Sequence, residues 1–515
     1  MAKLRRIVQV LFLLFFILLF IKARYPYDEV KLPSDLGLRF SPLIPLFDFI
    51  DSWSLSLRYW PALIILFLTP FLGRFFCGWI CPLGTTIDIN SKILKSPSNK
   101  ISKKWQKLRF FKYALLVSFI ILAFFSINGW GYFDPLSIFN RALSILLYPL
   151  ATLLVENGLL ALSDIPFLED AAYGIYDPFK NHIMPEGQAF YQHVFWIGLF
   201  FAFILGLEKL SRRFWCRNIC PAGALLGFLS QFRFYERIVG PACPVCNKCQ
   251  VECKMNAIPE DDISLTNKAE CIECFSCGEV CPPKYKAISY RWRWKPYHSP
   301  VDYNRRQFLK TSAGSAAAVG LLSIGLVNKD ENDKMIRPPG SLPEDEFRDR
   351  CIRCMECVRI CESNGGCLQP DRIHNDITDL WLPVAVMRSG YCEYNCNLCG
   401  QVCPTEAILP LVLEDKKKVP MGLAHFDKNV CIPYARNEDC LVCEEHCPTS
   451  DKAIKFDIRE VVLPDGSVKK VKYPYVVKDL CIGCGICEDK CPLIGKPGIF
   501  VNTENQRRLT KTQLA

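Results

Sequence analysis

Apolar residues fill the first two-fifths of the chain in long blocks, with the charges gathered between them. Ile7–Ile21 is interrupted only by Gln9, and Tyr59–Gly73, Phe110–Ile127 and Val194–Leu207 are further blocks of the same kind. Each is near or just under the roughly 17–25 residues that cross a bilayer, and flanking aromatics and snorkelling Lys or Arg supply the remainder. One such block alone would read as a buried helix of a soluble protein. Four together predict an α-helical membrane domain. Beyond it the apolar blocks give way to cysteine-rich segments.

Charge orients the helices. Lys3, Arg5 and Arg6 precede the first block, and Cys77–Arg109 holds seven Lys/Arg against Asp88 alone, whereas Gly129–Gln192 holds seven acids against Arg141 and Lys180. The positive-inside rule then places the N-terminus in the cytoplasm and returns the chain there near Arg212, Arg213 and Arg217. Ala142–Ser163 is apolar apart from Glu156 but contains Pro149. A span there would put those arginines outside, so it is expected to be an interfacial or re-entrant helix on the outer face. The net charge of +10 divides into 36 Lys+Arg against 23 Asp+Glu up to Val327 (+13), and 26 against 29 after it (−3). The basic residues flank apolar blocks instead of interleaving with aromatics on a soluble surface, so they are topology signals and no nucleic-acid partner is expected.

A further apolar stretch, Ser312–Val327, follows Asn304-Arg305-Arg306-Gln307-Phe308-Leu309-Lys310. That heptad matches the twin-arginine export motif S/T-R-R-x-F-L-K in six of its seven positions, with Asn304 in place of Ser/Thr, and the Ala/Gly/Ser-rich stretch after it fits. No A-x-A follows near Val327, so the segment is expected to stay as a fifth span with everything after Asn328 on the outer face.

The 29 cysteines decide the chemistry. They cluster, and a chain of 515 residues needs no disulfides to build a core, which points to metal. With 6 histidines and no C-x-x-C-H, attached c-type haem is out. Cys271, Cys274, Cys277, Cys281 and Cys481, Cys484, Cys487, Cys491 have the spacing C-x2-C-x2-C-x3-C-P that caps a [4Fe–4S] cube with three thiolates and sends the fourth to a neighbouring cube. Cys243, Cys246, Cys249, Cys253 and Cys351, Cys354, Cys357, Cys361 keep the spacing without the proline. Cys392, Cys396, Cys399, Cys403 and Cys431, Cys440, Cys443, Cys447 widen the first gap and keep Pro404 and Pro448. Zinc sites separate their C-x2-4-C pairs by a longer spacer, so six [4Fe–4S] clusters on these 24 cysteines are expected. Within the cytoplasmic pair, Cys243, Cys246 and Cys249 are assigned with Cys281, and Cys271, Cys274 and Cys277 with Cys253. For the outer four quartets, adjacent and nested pairings both fit. Cys367 is left over, as a buried free thiol or a substitute for Cys361.

The last four cysteines form an internal repeat. Arg74-Phe75-Phe76-Cys77-Gly78-Trp79-Ile80-Cys81-Pro82-Leu83-Gly84 matches Arg213-Phe214-Trp215-Cys216-Arg217-Asn218-Ile219-Cys220-Pro221-Ala222-Gly223. Each copy closes a helical hairpin, which would bring four thiols together at the cytoplasmic surface, to bind a metal or to cycle between dithiol and disulfide. The bland alternative is a helix-ending turn in which the cysteines pack as small apolar residues.

The first 300 residues, through Cys77, Cys81, Cys216, Cys220 and the quartets from Cys243 to Cys281, resemble the NapH-type membrane ferredoxin of periplasmic nitrate reduction, itself related to nitrous-oxide-reductase regulators and cytochrome oxidase assembly ferredoxins. Residues from Asn304 onward resemble its exported four-cluster NapG-type partner. The long Cys431–Cys440 gap, Glu362 in place of proline after Cys361, and Cys367 depart from that pattern. The resemblance implies four domains: a four-helix membrane domain at 1–232, a two-cluster α+β bacterial ferredoxin-like domain at 233–295 in the cytoplasm, a twin-arginine anchor at 296–330 and a four-cluster periplasmic α+β ferredoxin-like domain at 331–515. It also implies relay of electrons from quinol to a periplasmic reductase or cytochrome, in the inner membrane and with the quinone pool as partner. The rival classes are a maturation or regulatory ferredoxin that reduces a metal centre of an oxidase or copper enzyme, and a plain electron-wire scaffold with no quinone site. No carrier motif lies within the membrane blocks, which favours quinone as the bridge between faces. His193 is a quinol-site candidate, and Asp134 and Asp177 lie in similar G-x-aromatic-Asp-Pro segments where capping is the plainer role. No phosphate-cradling glycine loop is found, so neither a nucleotide nor a flavin domain is expected.

Overall fold

The computed structural model describes residues 1–26, 32–54, 56–96, 108–165, 167–184, 191–293, 313–314, 335–371, 377–462 and 466–510. The twin-arginine heptad, and the anchor after it apart from Ala313 and Gly314, lie outside the described residues.

All four apolar blocks are helices: α1 (Ala2–Lys22), α3 (Trp60–Leu72), α6 (Arg109–Phe124) and α9 (Val194–Gly206), with α2 (Leu43–Ser52) between the first two. The repeat gives matching pairs of short and longer helices, α4 (Phe75–Trp79) with α5 (Pro82–Ile93) and α10 (Phe214–Asn218) with α11 (Pro221–Leu229). Only α1 and α7 (Pro135–Ser163) are, by length and composition, long and apolar enough to cross a membrane on their own among the described residues. The expected outer-face helix over 142–163 instead begins at Pro135 and continues for 29 residues. Asp134 caps it, its Oδ2 accepting from the Ser137 N–H at 2.8 Å. A π turn over Leu143–Leu147 precedes Pro149; the wider turn accommodates a residue that has no N–H and whose ring would press on the carbonyl a turn earlier. α8 (Glu169–His182) folds back along α7.

The ferredoxin-like modules are α+β, with short helices and two-stranded antiparallel ribbons. Tyr235–Val239 pairs with Ile288–Trp292 and so closes the segment that carries the quartets from Cys243 to Cys281. Leu423–Phe426 pairs with Ile499–Asn502 around the last two quartets, and a long hairpin, Ile454–Val462 with Val468–Val476, rises between those two.

The two ends of α1 touch different modules. At its start Arg5 donates to the Gly78 carbonyl and Arg6 pairs with Glu279 of the first module; at its end Phe20 lies under the Arg359 guanidinium of the second, 5.1 Å from the ring centroid. The fourteen residues from Arg6 to Phe20, at 1.5 Å each, separate these contacts by about 21 Å along the helix. The modules therefore cap opposite ends of the helical domain. A continuous apolar core joins them, running from Ile272 and Cys274 through Cys81, Cys216, Cys220 and Trp215 to Ile352 and Cys354.

Candidate iron–sulfur centres

Four of the six quartets have the compact start C-x2-C-x2-C, and all four bend their backbone alike. The residues just before and just after the second cysteine have positive φ: Val245 and Asn247, Glu273 and Phe275, Arg353 and Met355, Gly483 and Gly485. This conformation curls the loop around a centre and turns backbone N–H groups inward. Glycine adopts it freely, whereas Val, Glu, Phe, Arg and Met bear strain that persists only where the surroundings impose it. The two quartets with a widened first gap lack the double bend.

In five of the six sets the fourth thiol comes from the neighbouring quartet. A cavity of about 350 Å³ is lined by Cys351, Cys354 and Cys357 together with Cys403. One of about 420 Å³ is lined by Cys271, Cys274 and Cys277 with Cys253, as the sequence reading assigned. One of about 340 Å³ is lined by Cys431, Cys440 and Cys443 with Cys491. In the complementary sets Cys361 lies in electrostatic reach of Cys392, Cys396 and Cys399, and Cys447 of Cys481, Cys484 and Cys487. Adjacent pairing therefore holds for the outer quartets. Cys243 and Cys246 gather near Cys249, to whose sulfur Arg237 donates at 3.5 Å.

These sites fit [4Fe–4S] clusters by donor set, with four thiols and no histidine around each cavity. Among the described residues no three His, Cys, Asp or Glu side chains close around a point that a single metal ion would fill, consistent with ligands set apart by a multi-iron cube. Burial pushes Cys277, Cys443 and Cys484 up to about 12, so ligation as thiolates requires the positive charge that iron supplies. Tyr290 Oη lies 3.0 Å from Cys277 Sγ.

Cys367 is buried with its sulfur 4.0 Å from Cys361 Sγ. The neighbouring Cys367 sulfur and the N–H groups of Gly366, Cys367 and Leu368 hold the Cys361 thiol below its ordinary range, while the same sulfur contact and burial raise that of Cys367. Of the two roles open to Cys367 from sequence, its burial fits a free thiol and its place beside Cys361 fits a substitute ligand.

The C-x-x-x-C-P copies superpose in detail. Cys81 and Cys220 each cap the helix that follows, with φ/ψ of −59/117 and −61/116, a proline next, and the sulfur accepting from the Gly84 or Gly223 N–H at 3.4 Å. The four thiols lie within electrostatic reach of one another. The arginine that opens each copy crosses to the other: Arg213 donates to the Cys77 carbonyl at 2.9 Å and Arg74 to the Cys216 carbonyl at 3.5 Å. Both are buried ion pairs, Arg213 with Asp88 at 2.9 Å and Arg74 with Glu270 at 3.2 Å.

Comparison with known proteins agrees with this chemistry. A family model described as a 4Fe-4S binding domain matches residues 60–107 and again 192–240, a second 4Fe-4S binding domain model matches 474–493, and a twin-arginine translocation pathway signal sequence matches 302–321. The ferredoxin-type protein MauM of methylamine utilization from Methylorubrum extorquens is 30% identical over 209 residues, 39% of this chain and 90% of the relative. The ferredoxin-type protein NapG of Escherichia coli is 32% identical over 204 residues, 38% of this chain and 84% of the relative. The chain belongs to the MauM/NapG ferredoxin-type family. An uncharacterized protein of Methanocaldococcus jannaschii is 25% identical over 241 residues, 45% of this chain and 78% of that protein. No solved structure matches. As a member of a ferredoxin-type family with 4Fe-4S domains and a twin-arginine signal, the chain is an iron–sulfur electron-transfer protein carrying an export signal.

Of the weaker site candidates, Asp134 is the helix cap already described and is fully buried. His193 precedes α9 in a left-handed conformation, and Asp177 lies within α8. The junction between the helical domain and the second module instead holds a cavity of about 420 Å³, lined by Phe47, Trp130, Asp48, Asp51, Asp349 and Arg350 among others. Burial, with Asp51 and Asp345 nearby, pushes Asp349 up to about 7. Sequence reading missed this site because its walls come from α2, the 126–130 turn and the segment before Cys351, which nothing local connects.

Proposed function

We propose that this chain is an inner-membrane relay that takes electrons from a quinol and delivers them through its outer module to a periplasmic reductase or cytochrome. The observation that carries the reading is the half-apolar, half-acidic cavity at the outer junction, whose wall residues Asp349 and Arg350 run directly into Cys351 and whose Thr405 also lines the Cys351–Cys403 cavity. Phe47 and Trp130, stacked at 4.7 Å with an 8° interplanar angle, offer a flat apolar wall for a quinone ring, and the carboxylates offer acceptors for the two protons that leave as quinol becomes quinone. Arg350 neutralises Asp48 and Asp51 at 3.4 and 3.1 Å. When bound, the six clusters supply one-electron steps that divide the quinol's electron pair. Apolar side chains turned outward, among them Leu14 and Leu18 on α1, Phe67 on α3, Leu154 on α7 and Phe203 on α9, support four or more spans in lipid. The names of the relatives support an exported redox partner.

The test is a quinol titration of anaerobic membranes followed by EPR. Outer-module clusters should become reduced with a menaquinol or ubiquinol analogue, and Trp130→Ala should weaken quinol-driven reduction at least tenfold while iron content stays unchanged. If no outer cluster is reduced by quinol, the assignment fails. If quinol reduction is normal but a partner metalloenzyme stays immature in a deletion strain, the maturation role replaces it.

A further inference from the structure

Both modules are gripped by the helical domain in the same way. In each, the isoleucine between the first two cysteines of a C-I-x-C loop, Ile272 or Ile352, presses its backbone on a glycine of the helical domain. At the inner end that glycine is Gly78, next to Cys77, where an added Cβ would strike the Ile272 carbonyl oxygen. At the outer end it is Gly131, where a Cβ would lie 2.9 Å from Ile352 Cα. Two residues on from Gly131, Phe133 stacks on Trp215 with centroids 5.9 Å apart and planes within 4°, and Trp215 is bonded to Cys216. A second aromatic route leaves Trp215 edge-on to Phe200 at 6.3 Å, passes to Trp381 at 5.8 Å and on to Tyr132 at 5.9 Å. Arg353 lies 4.4 Å from the Tyr132 centroid and donates to the Cys351 carbonyl at 2.9 Å.

The four C-x-x-x-C-P thiols therefore stand between the inner Cys271–Cys277 loop, reached through the Gly78–Ile272 contact, and the outer Cys351–Cys357 loop, reached through the Trp215–Phe133 stack and the Gly131–Ile352 contact. Their surroundings suit an anionic centre. The Gly84 and Gly223 N–H groups point at two of the sulfurs, Arg74 lies 4.0 Å from a third, and the fully buried Arg74 and Arg213 guanidiniums bracket the set. Asn218, inside the second copy, is 1% exposed with neither amide atom partnered, and the Trp215 indole N–H is also buried and unpartnered. Each 4Fe-4S family match over these helices contains only two of the four cysteines, so a complete ligand set requires both copies.

We infer that Cys77, Cys81, Cys216 and Cys220 hold one further [4Fe–4S] centre, shared between the repeats, and that this centre joins the inner and outer modules into a single path for electrons across the helical domain. The step is one-electron transfer: the inner module, reduced by a low-potential ferredoxin, loses one electron, the outer module gains one, and no covalent bond or proton changes place. This removes the need for a quinone bridge between the modules, which the sequence alone had favoured, and adds a second electron input to the one proposed above.

The test uses the full chain in sealed inside-out vesicles freed of quinone. Seven centres predict about 28 iron atoms per chain, at four per four-cysteine centre, and the quadruple Cys77/Cys81/Cys216/Cys220→Ser variant should contain about 24. Reduced ferredoxin added outside should reduce the lumenal clusters seen by EPR, and the quadruple variant should abolish this. Because the quadruple variant strains folding, Trp215→Leu provides the second arm: iron content unchanged, transfer from ferredoxin at least tenfold slower, and quinol-driven reduction as in the parent. Equal iron in parent and quadruple variant overturns the shared centre. Lumenal clusters that stay oxidised with ferredoxin in the parent, yet respond to quinol, overturn the path and leave the quinol relay standing.

Discussion

A thiol that donates to a ligand sulfur favours the more negative, reduced state of the centre, and a Cys367 that plays this part to Cys361 bears on potential more than on assembly. Replacing Cys367 by Ala should leave iron content unchanged and shift one outer midpoint negative by about 40 mV, taking about 1 kcal/mol for the hydrogen bond and 59 mV per tenfold change for one electron. An EPR redox titration checks it, and loss of four irons would instead make Cys367 a ligand. The bent ligand loops give a second expectation at this scale. Gly483 has a φ of 68° and its added Cβ would meet the Gly422 backbone at about 2.5 Å. Gly483→Ala should cost on the order of 2 kcal/mol, from left-handed strain plus the clash, and should appear as lower iron retention on mild heating. The bends themselves were not legible in the sequence, because Val, Glu, Phe, Arg and Met occupy most of them; only the glycines at 483 and 485 advertise the conformation.

Among the elements, the apolar blocks translated directly into helices, since an unbroken run of 13 to 21 residues has few other ways to satisfy its backbone in an apolar setting. Asp88, the lone acid of a basic loop, is not a topology residue but a hub: Arg213 and Lys254 each reach it at 2.9 Å and Arg5 at 3.5 Å, tying α1, α5, the second repeat and the inner module together. At the end of α9, Glu208 is fully buried, and burial pushes it up to about 7, above its ordinary 4.5. The folded state thus holds this proton more tightly than the unfolded chain. Its contribution to stability is complete below pH 4.5 and is lost as pH rises through 7. Glu208→Gln keeps the acceptor for the Phe214 N–H, 3.2 Å away, and cannot ionise. The variant should match the parent near pH 4.5 and exceed it by on the order of 2 kcal/mol at pH 8, measured as a pH series of thermal unfolding; a pH-independent difference would contradict the burial argument.

For the whole molecule, the two ferredoxin-like modules dock at opposite ends of the helical domain, and the twin-arginine signal match precedes the second of them. If the twin-arginine signal carries its export, Arg305→Lys with Arg306→Lys should leave the outer module protected from protease added to spheroplasts, while the parent is cleaved. Cleavage in both would remove the signal from the pathway.

The number of cysteine quartets, their spacing, the helical repeat and the basic–acidic alternation were set within short stretches of chain, where spacing alone dictates which thiols can share a loop and which residues can enter lipid. Tertiary structure decided what depends on groups far apart in sequence. Cys403 joins a set begun at Cys351 and Cys491 one begun at Cys431, Cys367 comes to rest beside Cys361, and Arg74 and Arg213 each serve the other's repeat. The outer cavity, the stacking of Phe133 on Trp215 and the glycine grips at Ile272 and Ile352 likewise exist only once helices, inner module and outer module are docked. Local pattern can name a ligand, but the direction in which a thiol points is fixed by the packing of segments tens to hundreds of residues away.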